Sequence, residues 1–245
     1  VKGNTPLIHA INEQQLEMVK TLLIAQDGKI DINKTDANRD TPLLRAIKVG
    51  NSEIIKTLID KEGIDFNLAN FDPGTPLILA IVLGKLEIAK LLIEKNGIDL
   101  NKSDVDGCTP LINAIVLGDS EIVKTLIDKN GIELNKPDFH LDTPLIWAIV
   151  LGKLEIATLL IEKGADITPK NHAGKDAYDY AIDAGYTNIA AKLLYTIADF
   201  FNSNLEVEAK SDNISEQSLV ELMANNDAQV QIAGQQQAVG VPAEV

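Results

Sequence analysis

The tripeptide Thr-Pro-Leu recurs five times in this chain at a nearly fixed interval: Thr5-Pro6-Leu7, Thr41-Pro42-Leu43, Thr75-Pro76-Leu77, Thr109-Pro110-Leu111 and Thr143-Pro144-Leu145. The successive gaps are 36, 34, 34 and 34 residues. A unit of that length is one small supersecondary element, unable to bury its apolar face alone, so it has to stack on its neighbours. The spacing therefore overrides the one- or two-domain expectation that 245 residues would set. It predicts an extended array without a single central core, and arrays of this kind mostly bind other molecules.

Residues 104–137 show what one unit contains. Asp104-Val105-Asp106-Gly107 is turn chemistry, with short polar side chains that bond their own backbone and a Gly that tolerates positive φ. Thr109 is an N-cap, and Pro110 occupies the first helical position, where a missing N–H costs nothing. Leu111, Ile112, Ala114 and Ile115 follow at helical spacing, and Gly118 stops this short helix. A second helix carries Ile122, Val123, Leu126 and Ile127 inward, with Lys124 and Lys129 outward, and ends at Gly131. Ile132-Glu133-Leu134-Asn135 then leads, extended, into the next turn.

These residues resemble the ankyrin repeat, whose pattern runs D-x-x-G-x-T-P-L-H-x-A-A-x-x-G before a second helix. Asp104 to Leu111 matches its first eight positions. Arg39, Pro73 and Leu141 stand where the family usually has the turn Gly. Ile8, Leu44, Ile78, Ile112 and Ile146 replace the family His, so its hydrogen bonds give way to apolar packing between helices. The resemblance implies an all-α ankyrin-repeat solenoid of about six repeats. They span roughly 1–35, 36–69, 70–103, 104–137, 138–170 and 171–201, and the sixth lacks Thr-Pro-Leu. Residues 202–245 are acidic and Asn/Gln-rich, and are expected to be disordered apart from a short helix over 215–224. That helix would either pack on the last repeat or fold on a partner.

Composition narrows the function. Aromatics make up only 4% of the chain, so Leu, Ile, Val and Ala must build the core. A net charge of −14 repels phosphate backbones and argues against nucleic acid. No apolar run approaches the ~20 residues that a membrane helix needs, which argues against a membrane. The single cysteine, Cys108, permits no intrachain disulfide and fits a reducing, cytoplasmic compartment. His9, His140 and His172 lie in different repeats with no partner at metal-ligand spacing, Cys108 has no nearby His base, and no phosphate-binding Gly loop is present. The expectation is a chain that is no enzyme and holds neither cofactor nor metal.

In the family, partners meet the turn tips and the open side of the first helices, where the two residues before the inter-helix Gly are often polar. In this chain three successive repeats place Val82-Leu83, Val116-Leu117 and Val150-Leu151 there. Leu79 and Trp147 stand three residues before the first and last of these pairs. Phe71 and Phe139 occupy turn tips. Together these ten residues are the expected partner-binding surface. The Leu of each pair could instead pack beneath the neighbouring turn, and the two Phe could fold back on the adjacent turn.

The resulting expectation is a monomeric module that binds a partner protein. The Ile-, Lys-, Asn- and Asp-rich composition resembles ankyrin proteins of intracellular bacteria, which sets a secreted, effector-like role in a host cytosol as a further expectation. Since Val1 lies inside the first turn, the true start is expected upstream. The alternative is thus a regulatory or targeting segment of a larger enzyme. Self-association through the strip is a weaker rival.

Overall fold

A computed structural model describes residues 5–24, 30–70 and 74–196. Phe71, the 202–245 tail and the expected 215–224 helix lie outside the described residues. Helices come in pairs: α1 (Pro6–Asn12) with α2 (Leu16–Ile24), α3 (Pro42–Val49) with α4 (Ser52–Ile59), and α5 (Pro76–Val82) with α6 (Leu86–Ile93). There follow α7 (Pro110–Leu117) with α8 (Ser120–Ile127), α9 (Pro144–Val150) with α10 (Leu154–Glu162), and α11 (Ala177–Asp183) with α12 over 187–196. The described residues contain no strand.

Thr-Pro-Leu works as its spacing predicts. The N–H groups of Ile8, Leu44, Ile78, Ile112 and Ile146 each donate to the Thr hydroxyl three residues earlier, at 3.2–3.3 Å. Pro fills the first helical position of all five helices. The motif's Leu and the residue after it are buried in every copy. In place of Thr, α11 has Asp176, which shares a reciprocal capping box with Asp179.

The odd-numbered helices pack in succession, α1 on α3, then α5, α7, α9 and α11. Behind this row stand α2, α4, α6 and α8, each against its own partner and its neighbours. The core is one continuous apolar seam between the two rows, built from Ile, Leu, Val and Ala. Each fully buried Leu or Ile contributes about 1.5–3 kcal/mol relative to exposure.

Polar ladders stitch successive repeats. Asn67 donates from Nδ2 to the carbonyl of Gly97 at 2.7 Å and accepts from the Asp99 N–H at 2.8 Å. Asn33 and Asn101 repeat this bridge to the repeats that follow them. On the second-helix row, Lys95, Lys129, Lys163 and Lys192 each pair with Asp60, Glu94, Asp128 or Glu162 of the preceding repeat, at 2.6–2.9 Å. Such exposed pairs contribute about 0–1 kcal/mol each, so they set register more than stability.

A two-repeat period overlies the single one. Asn51 and Asp119 cap α4 and α8 with their side chains. Lys85 and Lys153, at the same place before α6 and α10, make no cap bond. They lie instead against Gly50 and Gly118 of the preceding repeat. Thr-Pro-Leu is blind to this alternation, which shows only when second helices are compared two repeats apart.

Candidate partner-binding face

Each turn is built round its leading Asp or Asn. Asp104 Oδ1 accepts from the N–H groups of Asp106 and Cys108, which closes the turn. Its other oxygen accepts from the Asn113 amide at 3.0 Å. Asp138 does the same with His140 and Asp142, and its second oxygen takes the Trp147 Nε1–H at 3.0 Å. Asp36 is held by the Arg45 guanidinium, and the Asn171 amide reaches the Tyr180 hydroxyl at 2.8 Å. The helix position nine residues after the turn's first residue therefore serves the turn of its own repeat.

This geometry corrects one expected site residue. Leu79 occupies that position but is only 2% exposed, so it belongs to the core and not to an open strip. Its flank of the helix faces the turn. At this position Arg45, Asn113, Trp147 and Tyr180 reach polar partners, while Leu79 has nothing to donate. Correspondingly the Asn70 amide turns to Asp40 of the preceding repeat, at 2.6 Å. Trp147 is part-buried against the core with its N–H committed to Asp138, so it positions a turn.

The Val-Leu pairs have a different setting. α7 has α5 and α9 on its flanks and α8 behind, which leaves one side without a helix neighbour among the described residues. Val82, Leu83, Val116, Leu117, Val150 and Leu151 lie on that open side of their helices and are 38–49% exposed. The Leu residues are not sealed beneath the next turn. In the repeat before them, the equivalent pair is Lys48-Val49, and Lys48 donates to Asp40 at 2.7 Å.

At the tips, Phe139 does both of the things open to it. Its ring lies against Gly107 of the preceding turn, where a Cβ would come within 2.7 Å of it, and its N–H donates to the Asp106 carbonyl at 3.3 Å. It is nonetheless 67% exposed. Gly107 is thus required both for its φ of 82° and for this close approach. Leu141 holds a φ of 64° in the equivalent turn position, where a branched side chain costs about 1–2 kcal/mol, and it too is exposed. Val105 is a further exposed apolar residue on the tips.

Electrostatics differ along the row. Burial would raise the Asp36 carboxyl, but hydrogen bonds from Arg45 and from the Asp40 and Asn38 N–H groups hold it below the usual carboxylate range. Cys108 lies between turns that carry Asp104, Asp106 and Asp138. Burial, then those three charges, push its thiol up to about 12, which suits neither a nucleophile nor a metal ligand. Among the described residues no three His, Cys, Asp or Glu side chains are grouped as a metal site would need. Nor is any helix there long and apolar enough to cross a membrane. A concavity of about 540 Å³ between α4 and α6 is lined by Gly50, Ile55, Lys56, Lys85 and Glu87, which bring no catalytic grouping together.

Comparison with known proteins places this architecture. A model described as ankyrin repeats matches three times in tandem, over residues 1–70, 68–138 and 137–204. Each match spans two repeats. No curated protein matches the chain. Among solved structures, EF0377, an ankyrin repeat protein, is 33% identical with a TM-score of 0.68, over 77% of this chain and 96% of that one. An ankyrin repeat domain (ABAYE2397) from Acinetobacter baumannii AYE is 28% identical with a TM-score of 0.70, over 78% and 97%. A chain in the structure of the Bd0816 predatory endopeptidase from Bdellovibrio bacteriovorus in complex with immunity protein Bd3460 is 29% identical, with a TM-score of 0.63, over 78% and 98%. With helix pairs, capped Thr-Pro-Leu starts and a matching family model along most of its length, this chain belongs to the ankyrin repeat family.

Proposed function

We propose that this protein is a non-catalytic binding module that holds a partner protein against the open side of its first-helix row, centred on Val116. Ankyrin repeats are in general protein–protein interaction modules, and this chain is built of such repeats. The observation that carries the finer reading is the run of three exposed Val-Leu pairs in consecutive repeats. Neighbouring helices lie about 8–10 Å apart, so the pairs form a strip roughly 20–30 Å long. Burying each Val or Leu fully would contribute about 1.5–3 kcal/mol to association, before the cost of ordering. Leu141 supports the same side, because a strained and exposed apolar residue is hard to account for by folding alone.

The test uses two charges in the strip, Val116→Glu with Val150→Glu, and leaves Trp147 intact because it positions a turn. The full chain and the double variant are each used to capture partners, and the captured proteins are identified by mass spectrometry. A protein held by the wild type and lost from the variant, with circular dichroism unchanged, upholds the reading. The same set held by both sinks it.

Likeness to a chain of the endopeptidase–immunity protein structure supports a second, narrower reading, in which the module covers and silences another protein. A captured hydrolase whose activity falls on adding this chain would favour it. A captured protein with unaltered activity would remove it.

A further inference from the structure

Charge is segregated along the middle of the array. Residues 70–84, 103–118 and 137–152 comprise the turns and first helices of three consecutive repeats, and they contain no Lys or Arg. They carry five carboxylates, Asp72, Asp104, Asp106, Asp138 and Asp142. The second halves of the same repeats, 85–102, 119–136 and 153–170, carry ten lysines against ten carboxylates. By sequence, the net negative charge of these repeats therefore belongs to the halves that carry the Val-Leu pairs.

Among the described residues, no Lys or Arg forms an ion pair with Asp104, Asp106, Asp138 or Asp142. Among the described residues, the ion pairs join Lys or Arg to carboxylates of the second-helix row, of the Arg45–Lys48 cluster or of the α11 region. Asp104 and Asp138 are satisfied by neutral donors, Asn113 and Trp147, and Asp142 accepts from Asn171. Neutral donors satisfy the lone pairs but leave the charge uncancelled. At Cys108 burial, and after it the charges of Asp104, Asp138 and Asp106, push the thiol up.

Geometry sets strip and charges at a useful separation. Val116 is seven residues beyond Thr109 on α7, so the strip runs about 10 Å from the turns. That is close to the Debye length at physiological salt, about 8 Å, and within reach of an extended Lys or Arg side chain of an occupant.

We infer that the strip takes a protein segment of amphipathic character whose apolar side chains cover Val82, Val116 and Val150 and whose flanking Lys or Arg residues lie over the turn carboxylates Asp106 and Asp142. The inference rests on the reading of the strip as the binding surface and adds the charge of the occupant to it. An acidic occupant is disfavoured, because it would bring like charges to Asp104, Asp106, Asp138 and Asp142, which pair with no Lys or Arg among the described residues.

The experiment uses a displayed library of random 20-residue peptides. Binders are selected on the full chain and counter-selected on the Val116→Glu, Val150→Glu variant, so that only strip-dependent peptides survive. Their composition is compared with that of the unselected library. The best binder is titrated at low and high NaCl and against an Asp106→Asn, Asp142→Asn variant. The expected result is enrichment in Lys and Arg, depletion of Asp and Glu, and affinity weaker by about tenfold at high salt and about three- to tenfold on the Asn variant. Strip-dependent peptides with the library's own charge, or enriched in acidic residues, overturn this inference and leave the strip standing. Recovery of no strip-dependent peptide overturns both.

Discussion

Repeats two and four have nearly the same second helix, Asn51-Ser52-Glu53-Ile54 in one and Asp119-Ser120-Glu121-Ile122 in the other, with the same side-chain cap at its start. Their first helices also share cap, Pro and buried Leu. They part company on the open side. Repeat two presents Arg45, paired with Asp36 and Asp40, and Lys48, paired with Asp40, with Val49 beside them. Repeat four presents Val116 and Leu117, with Asn113 in place of Arg45, over a turn whose Asp104 meets only neutral donors. The scaffold is thus held constant while the outward positions differ between these two repeats. Variation of that kind is expected where the outward positions answer to something other than folding.

The comparison breaks if the two scaffolds are not equivalent. Leu43→Ala and Leu111→Ala should each destabilise by about 2–5 kcal/mol, and by similar amounts, in urea unfolding followed by circular dichroism. A large difference between them would show that the repeats are not held alike.

Trp147→Phe keeps a smaller aromatic ring but removes the donor to buried Asp138, and should cost about 1–3 kcal/mol. An unchanged midpoint would mean that the indole serves a partner and not its turn. Leu141→Gly relieves the left-handed backbone and should stabilise by about 1 kcal/mol while weakening any partner that touches the tips. A loss of stability would show that this Leu is part of the packing.

Acid sharpens the contrast between the two turns. Because the folded Asp36 has a depressed pKa, the unfolded chain takes up the proton first as pH falls. Its contribution is fully present above the ordinary carboxylate value of about 4 and is lost as pH drops through the native value. Arg45→Asn, which makes repeat two resemble repeat four, should flatten the stability–pH slope on the acid side of about pH 4. An unaltered slope would remove Arg45 as its cause.

The smallest disturbance to the fold comes from alkylating Cys108. A thiol pKa of about 12 cuts its thiolate at pH 8 by roughly three orders of magnitude, and higher intrinsic nucleophilicity offsets about half of that. Iodoacetamide should react on the order of 10- to 100-fold more slowly than with a free thiol. A rate equal to that of a free thiol would mean that the turns do not shelter or charge the site.

The repeat, its cap and its core were legible because each depends on local spacing: Thr, Pro and Leu adjacent in sequence create one helix start, five times over. The six Val and Leu residues before the inter-helix glycines were expected on the open side from the family resemblance together with helical period, with burial of each Leu as the alternative, and all six are 38–49% exposed. Leu79 was misplaced because the same period does not reveal that its flank is covered by the turn. The Asp–Asn113 and Asp–Trp147 bonds span nine residues, and the donor at that position changes type from repeat to repeat, so no fixed motif betrays them. The pairing of Asn70 with Asp40 and the lysine ladder cross between repeats, and spacing within one unit says nothing about them.

The central claim is that the middle three repeats turn an uncovered apolar wall to solvent in the whole chain. Methyl-labelled Val and Leu observed by NMR with a soluble paramagnetic agent test it without any partner. The methyls of Val82, Val116 and Val150 should relax strongly, while those of buried Val19 and Val123 remain protected. Protection of the three strip valines to the level of the buried pair would contradict the account, because some part of this chain, or a second copy of it, would already occupy the wall.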